Sequence, residues 1–182
     1  TLDGMSIEQC AGQLLCPMMG QSSTANWLSL LHEVPLGTIF IRRMPQAEMR
    51  SMLAVLQDHT DIPLLVAGDL EHGANAIADK ATLFPWTMAA GAADDEALMF
   101  TRGQATAIEG SHAGFNWTFS PVVDLNLNFN NPITNIRALS DDPERVIRLV
   151  VPLIQGMQTN GIMATAKHFP GDGIDDRDQH LV

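Results

Sequence analysis

The sequence predicts an α/β fold, a parallel sheet wound as the opening part of a (β/α)8 TIM-type barrel, on three observations. Short apolar runs rich in β-branched residues alternate with longer segments whose apolar positions recur at helical spacing. Strands that alternate with helices in this way build parallel sheets. Polar residues also gather just after the apolar runs: Arg42-Arg43 after one, Asp69 after another, Asp124 after a third and Lys167-His168 after a fourth. Strand ends on one face are where such barrels carry their active sites. Four or five strands are legible, whereas a closed barrel needs eight in roughly 250 residues. A longer polypeptide is therefore expected, with residues 1–182 as the N-terminal part of a single barrel domain.

Each element has its own signal. Ser6 with Gln9 three residues on is a capping box, and Ile7, Ala11, Leu14 and Leu15 follow at helical spacing. Residues 17–20 read as a weak strand. Asn26 to Glu33 reads as a short helix with Trp27, Leu30 and Leu31 on one side. Gly37 to Ile41 is β-branched and aromatic, a buried strand. Pro45 suits the first turn of a helix reaching about His59, with Met49, Met52, Leu53 and Leu56 as its apolar stripe. Pro63 opens a second buried strand, Leu64 to Ala67. Asp94 or Asp95 caps a helix to about Gly110, and Phe115 to Phe119 is a third strand ending at Ser120-Pro121. Asp142-Pro143 opens a helix to about Thr159, kinked at Pro152 and stopped by Asn160-Gly161. Ile162 to Ala166 is the next strand.

The chain is 46% hydrophobic and 17% charged, a profile that excludes a disordered segment. No run of about 18 apolar residues predicts a transmembrane helix. A formal net charge of −11 argues against a nucleic-acid groove or an anionic membrane surface as partner. Cys10 and Cys16 are too few for a disulfide scaffold or a four-thiolate zinc site and read as two small buried hydrophobes. No basic n-region with an apolar h-region is visible, which leaves the compartment open. The sequence holds neither G-x-G-x-x-G nor G-x-x-x-x-G-K-[ST], so a nucleotide cofactor loses ground. It also lacks H-x-H and H-E-x-x-H pairs, which counts against a metal-dependent hydrolase using His168, His180 and the aspartates.

The densest stretch is Lys167-His-Phe-Pro-Gly-Asp-Gly-Ile-Asp-Asp-Arg-Asp-Gln-His180. Acids and histidines crowded at a strand end suggest proton transfer or metal binding. On composition alone the same stretch also reads as a solvated acidic loop. Its four aspartates disfavour a phosphate-binding role. Asp178 and His180 form an Asp-x-His pair, in which a carboxylate on one imidazole nitrogen fixes the tautomer and leaves the other nitrogen to exchange protons.

This stretch resembles the K-H-F-P-G-[HD]-G…D-x-H signature of glycoside hydrolase family 3. Other segments are similar to that family in the same order: Ser6 to Leu15, Gly37 to Arg42, Ala67-Gly-Asp-Leu-Glu-His-Gly73, Gly114 to Leu125, and Asn131-Pro-Ile-Thr-Asn-Ile-Arg137 with Asp142-Pro143. The resemblance spans nearly the whole chain. It implies a (β/α)8-type catalytic domain that removes β-linked sugars from a non-reducing end by retaining double displacement. It implies that Asp69, Arg137, Lys167 and His168 bind sugar hydroxyls. A carboxylate among cationic donors suits hydroxyls, which both donate and accept. Asp124 would be a structural acid bonding backbone donors below the site, and His72 reads as supporting the site, with filling space or meeting substrate as alternatives.

In the β-N-acetylglucosaminidase branch of the family the general acid/base is an Asp-x-His dyad on this loop. The match implies His180 as acid then base, oriented by Asp178. Two departures stand out: Asp172 occupies a position where that branch usually has His, and the run from Asp69 to Ala78 lacks its usual arginines. A retaining glycosidase needs a second carboxylate as nucleophile, which the family places on a later strand. Residues 1–182 alone are therefore expected to be inactive and prone to association through unpaired strand edges. The reading is an exo-acting β-N-acetylhexosaminidase with no metal and no cofactor. The alternatives are a β-glucosidase of the same family and a sugar-binding barrel without hydrolysis.

Overall fold

The computed structural model of the protein describes residues 2–19 and 23–181. Ser6 and Gln9 close the capping box reciprocally at 3.2 and 2.8 Å and start α1 (Ile7–Gln13). A short strand β1 (Met18–Met19) follows; Gly20, the end of the weak strand expected there, lies outside the described residues. Ser23 caps α2 (Thr24–Glu33), two residues earlier than the spacing predicted. Then come β2 (Thr38–Ile41), α3 (Gln46–Gln57) and β3 (Leu65–Gly68). Pro45 stands just before α3 rather than inside its first turn, and Asp79 Oδ1 accepts the Gln46 N–H at 2.7 Å.

The helix α4 (Thr87–Ala93) was not legible in the sequence. Of the two candidate caps, Asp95 accepts the Ala97 and Leu98 N–H groups and starts α5 (Glu96–Ala113), while Asp94 closes α4 in the left-handed region. α5 passes through Gly110 because that glycine is a packing site: a Cβ there would lie 2.8 Å from Ile162 and 2.9 Å from Leu70. The helix stops at Gly114, whose φ of 110° suits glycine. Asp142 caps α6 (Pro143–Gln158), which runs on past Pro152; the proline has no N–H to offer the Arg148 carbonyl.

β4 (Trp117–Thr118) and β5 (Met163–Ala164) are shorter than the apolar runs that announced them. A side chain supplements the ladder at the start of β4. Asn116 Oδ1 accepts the Val66 N–H at 2.7 Å while its amide donates to the Leu64 carbonyl at 3.0 Å.

The five strands lie in the order β1-β2-β3-β4-β5, all parallel, each bonded to the next in sequence. A sheet that grows in one direction with helical crossovers is the opening arc of a (β/α)8 barrel. Alternation sorts the strand residues. Ile39, Ile41 and Val66 are fully buried and meet Trp27 of α2 and Met49, Met52, Leu53 and Leu56 of α3. On the opposite face the register aligns Met18, Phe40, Ala67, Trp117 and Met163 in one row. A second core joins Met99 of α5 to Val146, Leu149, Val150, Leu153 and Met157 of α6. The two cysteines correct the sequence reading: Cys16 is exposed and Cys10 half-buried, because α1 packs few side chains onto the rest of the molecule.

Candidate active site

The polar residues that follow β3, β4 and β5 meet at the C-terminal edge of the sheet. Asp69 comes directly after β3, and its Oδ1 accepts the Lys167 Nζ at 2.7 Å. Lys167 is carried into place by pairing beyond β5: its N–H donates to the Pro121 carbonyl at 3.1 Å and its carbonyl accepts from Val123 N–H at 2.7 Å. Its ammonium also lies 2.9 Å from Glu71 Oε1. Glu71 in turn receives Arg137, with Nε to Oε2 at 2.9 Å and Nη2 to Oε1 at 2.7 Å. Burial pushes the Glu71 carboxyl up, but the Arg137 and Lys167 charges outweigh it and hold it at about 2. The hydrogen bonds and charge of Glu71 raise Arg137 above its ordinary value against the effect of burial.

Arg137 sits on a 3-10 turn, Asn135–Arg137. The buried Asn131 builds the approach to that turn, accepting Ile133 N–H, Thr134 N–H and Thr134 Oγ1 at 2.7–3.0 Å. Its amide donates to the carbonyls of Asp172 and Asp175 at 2.6 and 2.8 Å, which ties the arginine turn to the acidic loop.

His168 Nδ1 lies 2.6 Å from Asp124 Oδ2. A carboxylate at that distance places the proton on Nδ1. Asp124 is fully buried and also accepts the backbone N–H of His168 at 3.2 Å and of Asp172 at 2.7 Å. It is the backbone-bonding acid that the resemblance implied, and it orients the His168 ring as well.

A cleft of about 640 Å³ opens here. Asp69, Lys167 and His168 line it beside Phe40, Trp117 and Phe119. The Phe119 ring lies 4.8 Å from Trp117, edge to face, and 5.3 Å from Phe40. An aromatic wall next to convergent donors and acceptors suits a molecule with one apolar face and a hydroxyl rim.

Asp178 Oδ1 accepts both the backbone N–H of His180 at 2.9 Å and its Nδ1 at 2.7 Å. Those two bonds hold the Asp178 carboxyl below its usual range. The His180 ring is 78% exposed, so its other nitrogen is open to solvent. The pair makes no hydrogen bond to Asp69, Arg137, Lys167 or His168. Elsewhere in the loop Arg177 pairs with Asp175 at 2.8 Å, and the Asp172 carboxylate accepts from Gln179. Two of the four loop aspartates thus have a cationic or imidazole partner. Among the described residues no three His, Cys, Asp or Glu side chains converge as a metal site.

The structure gathers Asp69, Arg137, Lys167 and His168 at one edge and pairs Asp178 with His180. Sequence reasoning passed over Glu71. The available signal was its place two residues after Asp69, inside the family-like segment Ala67–Gly73. His72 packs its ring 4.4 Å from Trp86, and desolvation lowers its pKa.

The model of the glycosyl hydrolase family 3 N-terminal domain matches residues 6–182. A protein of Cellulomonas fimi named beta-N-acetylglucosaminidase/beta-glucosidase is 37% identical over 185 residues, covering all of this chain and 32% of that protein. A solved beta-glucoside phosphorylase bound to 2FGlc is 37% identical with a TM-score of 0.92, over 98% of this chain and 33% of its own. A family 3 beta-N-acetylglucosaminidase from Paenibacillus sp. str. FPU-7 is 31% identical with a TM-score of 0.90, over 97% of this chain and 35% of its own. The chain spans about a third of the length of these relatives.

Proposed function

The chain belongs to glycosyl hydrolase family 3, and we propose that it forms part of a retaining, exo-acting β-glycosidase that releases terminal β-linked N-acetylglucosamine. The longer polypeptide completes the barrel and supplies an Asp nucleophile from a later strand. Asp69, Arg137, Lys167 and His168 hold the hydroxyls of the terminal sugar against the aromatic wall of the cleft. His180 acts as general acid and then general base, oriented by Asp178. In the first step the nucleophile attacks the anomeric carbon while His180 gives its proton to the departing glycosidic oxygen. In the second, His180 takes a proton from water as the water oxygen displaces the enzyme carboxylate. An imidazole suits both halves because its ordinary pKa lies near neutrality.

The observation that carries this reading is the Asp178–His180 hydrogen bond at 2.7 Å on the loop that follows the cleft residues Lys167 and His168. The test uses the longest natural polypeptide on aryl N-acetyl-β-glucosaminide and aryl β-glucoside side by side. Faster release from the N-acetyl sugar, lost in His180→Ala, supports it. Faster release from the glucoside favours the β-glucosidase alternative, and release from neither favours the sugar-binding barrel.

The likeness to a beta-glucoside phosphorylase favours a second reading, in which phosphate replaces water. A phosphate oxygen would displace the enzyme carboxylate from the anomeric carbon and leave a sugar 1-phosphate. A neutral imidazole base does not repel that anion as a carboxylate base would. Sugar 1-phosphate formed on adding inorganic phosphate would select this reading.

A further inference from the structure

Glu71 accepts two hydrogen bonds from Arg137 and forms an ion pair with the Lys167 ammonium, at 2.9 Å, at the edge of the cleft. We propose that it is the positioning residue of the sugar site: a buried carboxylate that touches no sugar and sets where Arg137 and Lys167 point. The proposal rests on the reading of that edge as a sugar site.

Exposure separates the two neighbouring acids. The Asp69 side chain is 42% exposed and lines the cleft, with one oxygen engaged by Lys167 and the other free to accept. The Glu71 side chain is 9% exposed, and both its oxygens are taken. The donors divide the same way. Arg137 commits Nε and Nη2 to Glu71 and Nη1 to the Ile133 carbonyl at 3.1 Å. A guanidinium has five N–H bonds, so two remain to be aimed elsewhere. Lys167 donates one N–H to Asp69 and holds its ammonium 2.9 Å from Glu71, so its charge is shared between the two acids. Glu71 is therefore the counter-ion common to both cations.

Glu71 is itself held rigidly. The buried Arg102 of α5 donates to its carbonyl at 3.0 Å, and the preceding Leu70 N–H donates to Thr118 Oγ1 at 3.1 Å. Rigid support behind the groups that meet a ligand is what a binding site needs.

The test uses the longest natural polypeptide, its Glu71→Gln and Glu71→Asp variants, and two readouts. The first does not depend on turnover. An amine-reactive probe labels Lys167 and Lys80, read by peptide mapping, with Lys80 as internal reference. Several-fold faster labelling of Lys167 in Glu71→Gln, with Lys80 unchanged and Glu71→Asp in between, is expected. The second is kcat/KM on aryl glycosides. A 10- to 100-fold loss is expected in Glu71→Gln, and a double variant with Arg137→Gln should lose little beyond Arg137→Gln alone. Unchanged labelling, or losses that simply add, would overturn the proposal. If the wild-type polypeptide turns over neither glycoside, the glycosidase reading fails and the labelling still decides whether Glu71 holds Lys167. Should Glu71→Gln fail to fold, Glu71→Asp carries both readouts.

Discussion

Replacing Glu71 by Gln tests the buried ion network by its dependence on pH. Desolvation raises the Glu71 carboxyl, but Arg137 and Lys167 reverse the balance and bring it from an ordinary 4.5 to about 2. A depressed folded-state value means that the native state binds the proton less readily than the unfolded chain. Its contribution is fully present above about pH 4.5 and is lost as the pH falls through about 2. The gap of about 2.5 pH units, at 1.36 kcal/mol each, corresponds to about 3 kcal/mol. Glutamine has the shape of the protonated acid, so the variant lacks this contribution at every pH. Wild type and variant should therefore differ by about 3 kcal/mol at pH 7 and converge toward pH 2. Asp94, Asp175 and Asp178 are also held low, by hydrogen bonds from Arg148, Arg177 and His180. Both proteins share these groups, so they cancel in the difference. Urea unfolding followed by tryptophan fluorescence across that range measures it. A gap that stays constant with pH, or is absent at pH 7, would refute the account of Glu71 as a charged counter-ion.

The remaining expectations concern the dyad, the buried acid and the helix contact. His180→Ala should lower turnover of an aryl glycoside by about 10²- to 10⁴-fold, and Asp178→Asn by less, read from initial rates; full activity in His180→Ala would remove the ring from the chemistry. Asp124→Asn turns one acceptor oxygen into a donor facing N–H groups of His168 or Asp172. It should cost about 2–4 kcal/mol in urea unfolding, and a loss below about 1 kcal/mol would show that these bonds are replaceable. Gly103→Ala would bring a Cβ within 2.2 Å of the Leu153 carbonyl oxygen, forcing α5 and α6 apart. A destabilisation of about 1–3 kcal/mol is expected in a thermal melt, and an unchanged midpoint would mean that the two helices slide freely.

What the sequence disclosed follows from the range of the forces involved. α1 was legible because Ser6 and Gln9 satisfy each other three residues apart, a bond written into the local chain. The stripe of α3 was legible because Met49, Met52, Leu53 and Leu56 all seek the same buried side. α4 was not: Thr87–Ala93 has small residues and no stripe, and what places it is distant, with Gly91 lying against the Leu139 carbonyl. The site divides along the same line. Asp69, Asp124, Lys167 and His168 announced themselves as polar residues after apolar runs, a pattern visible within a few positions. Glu71 did not, because it has no partner nearby in the chain; Arg137 and Lys167 reach it from 66 and 96 residues away. Motif reading finds residues through their immediate neighbours, whereas a counter-ion is defined by the cations it faces. Glu71, buried and paired only with residues distant in the chain, is the acid that such reading overlooked, whereas the more deeply buried Asp124 was found by its place after an apolar run. Glu71 sits two residues after Asp69, the acid that lines the cleft.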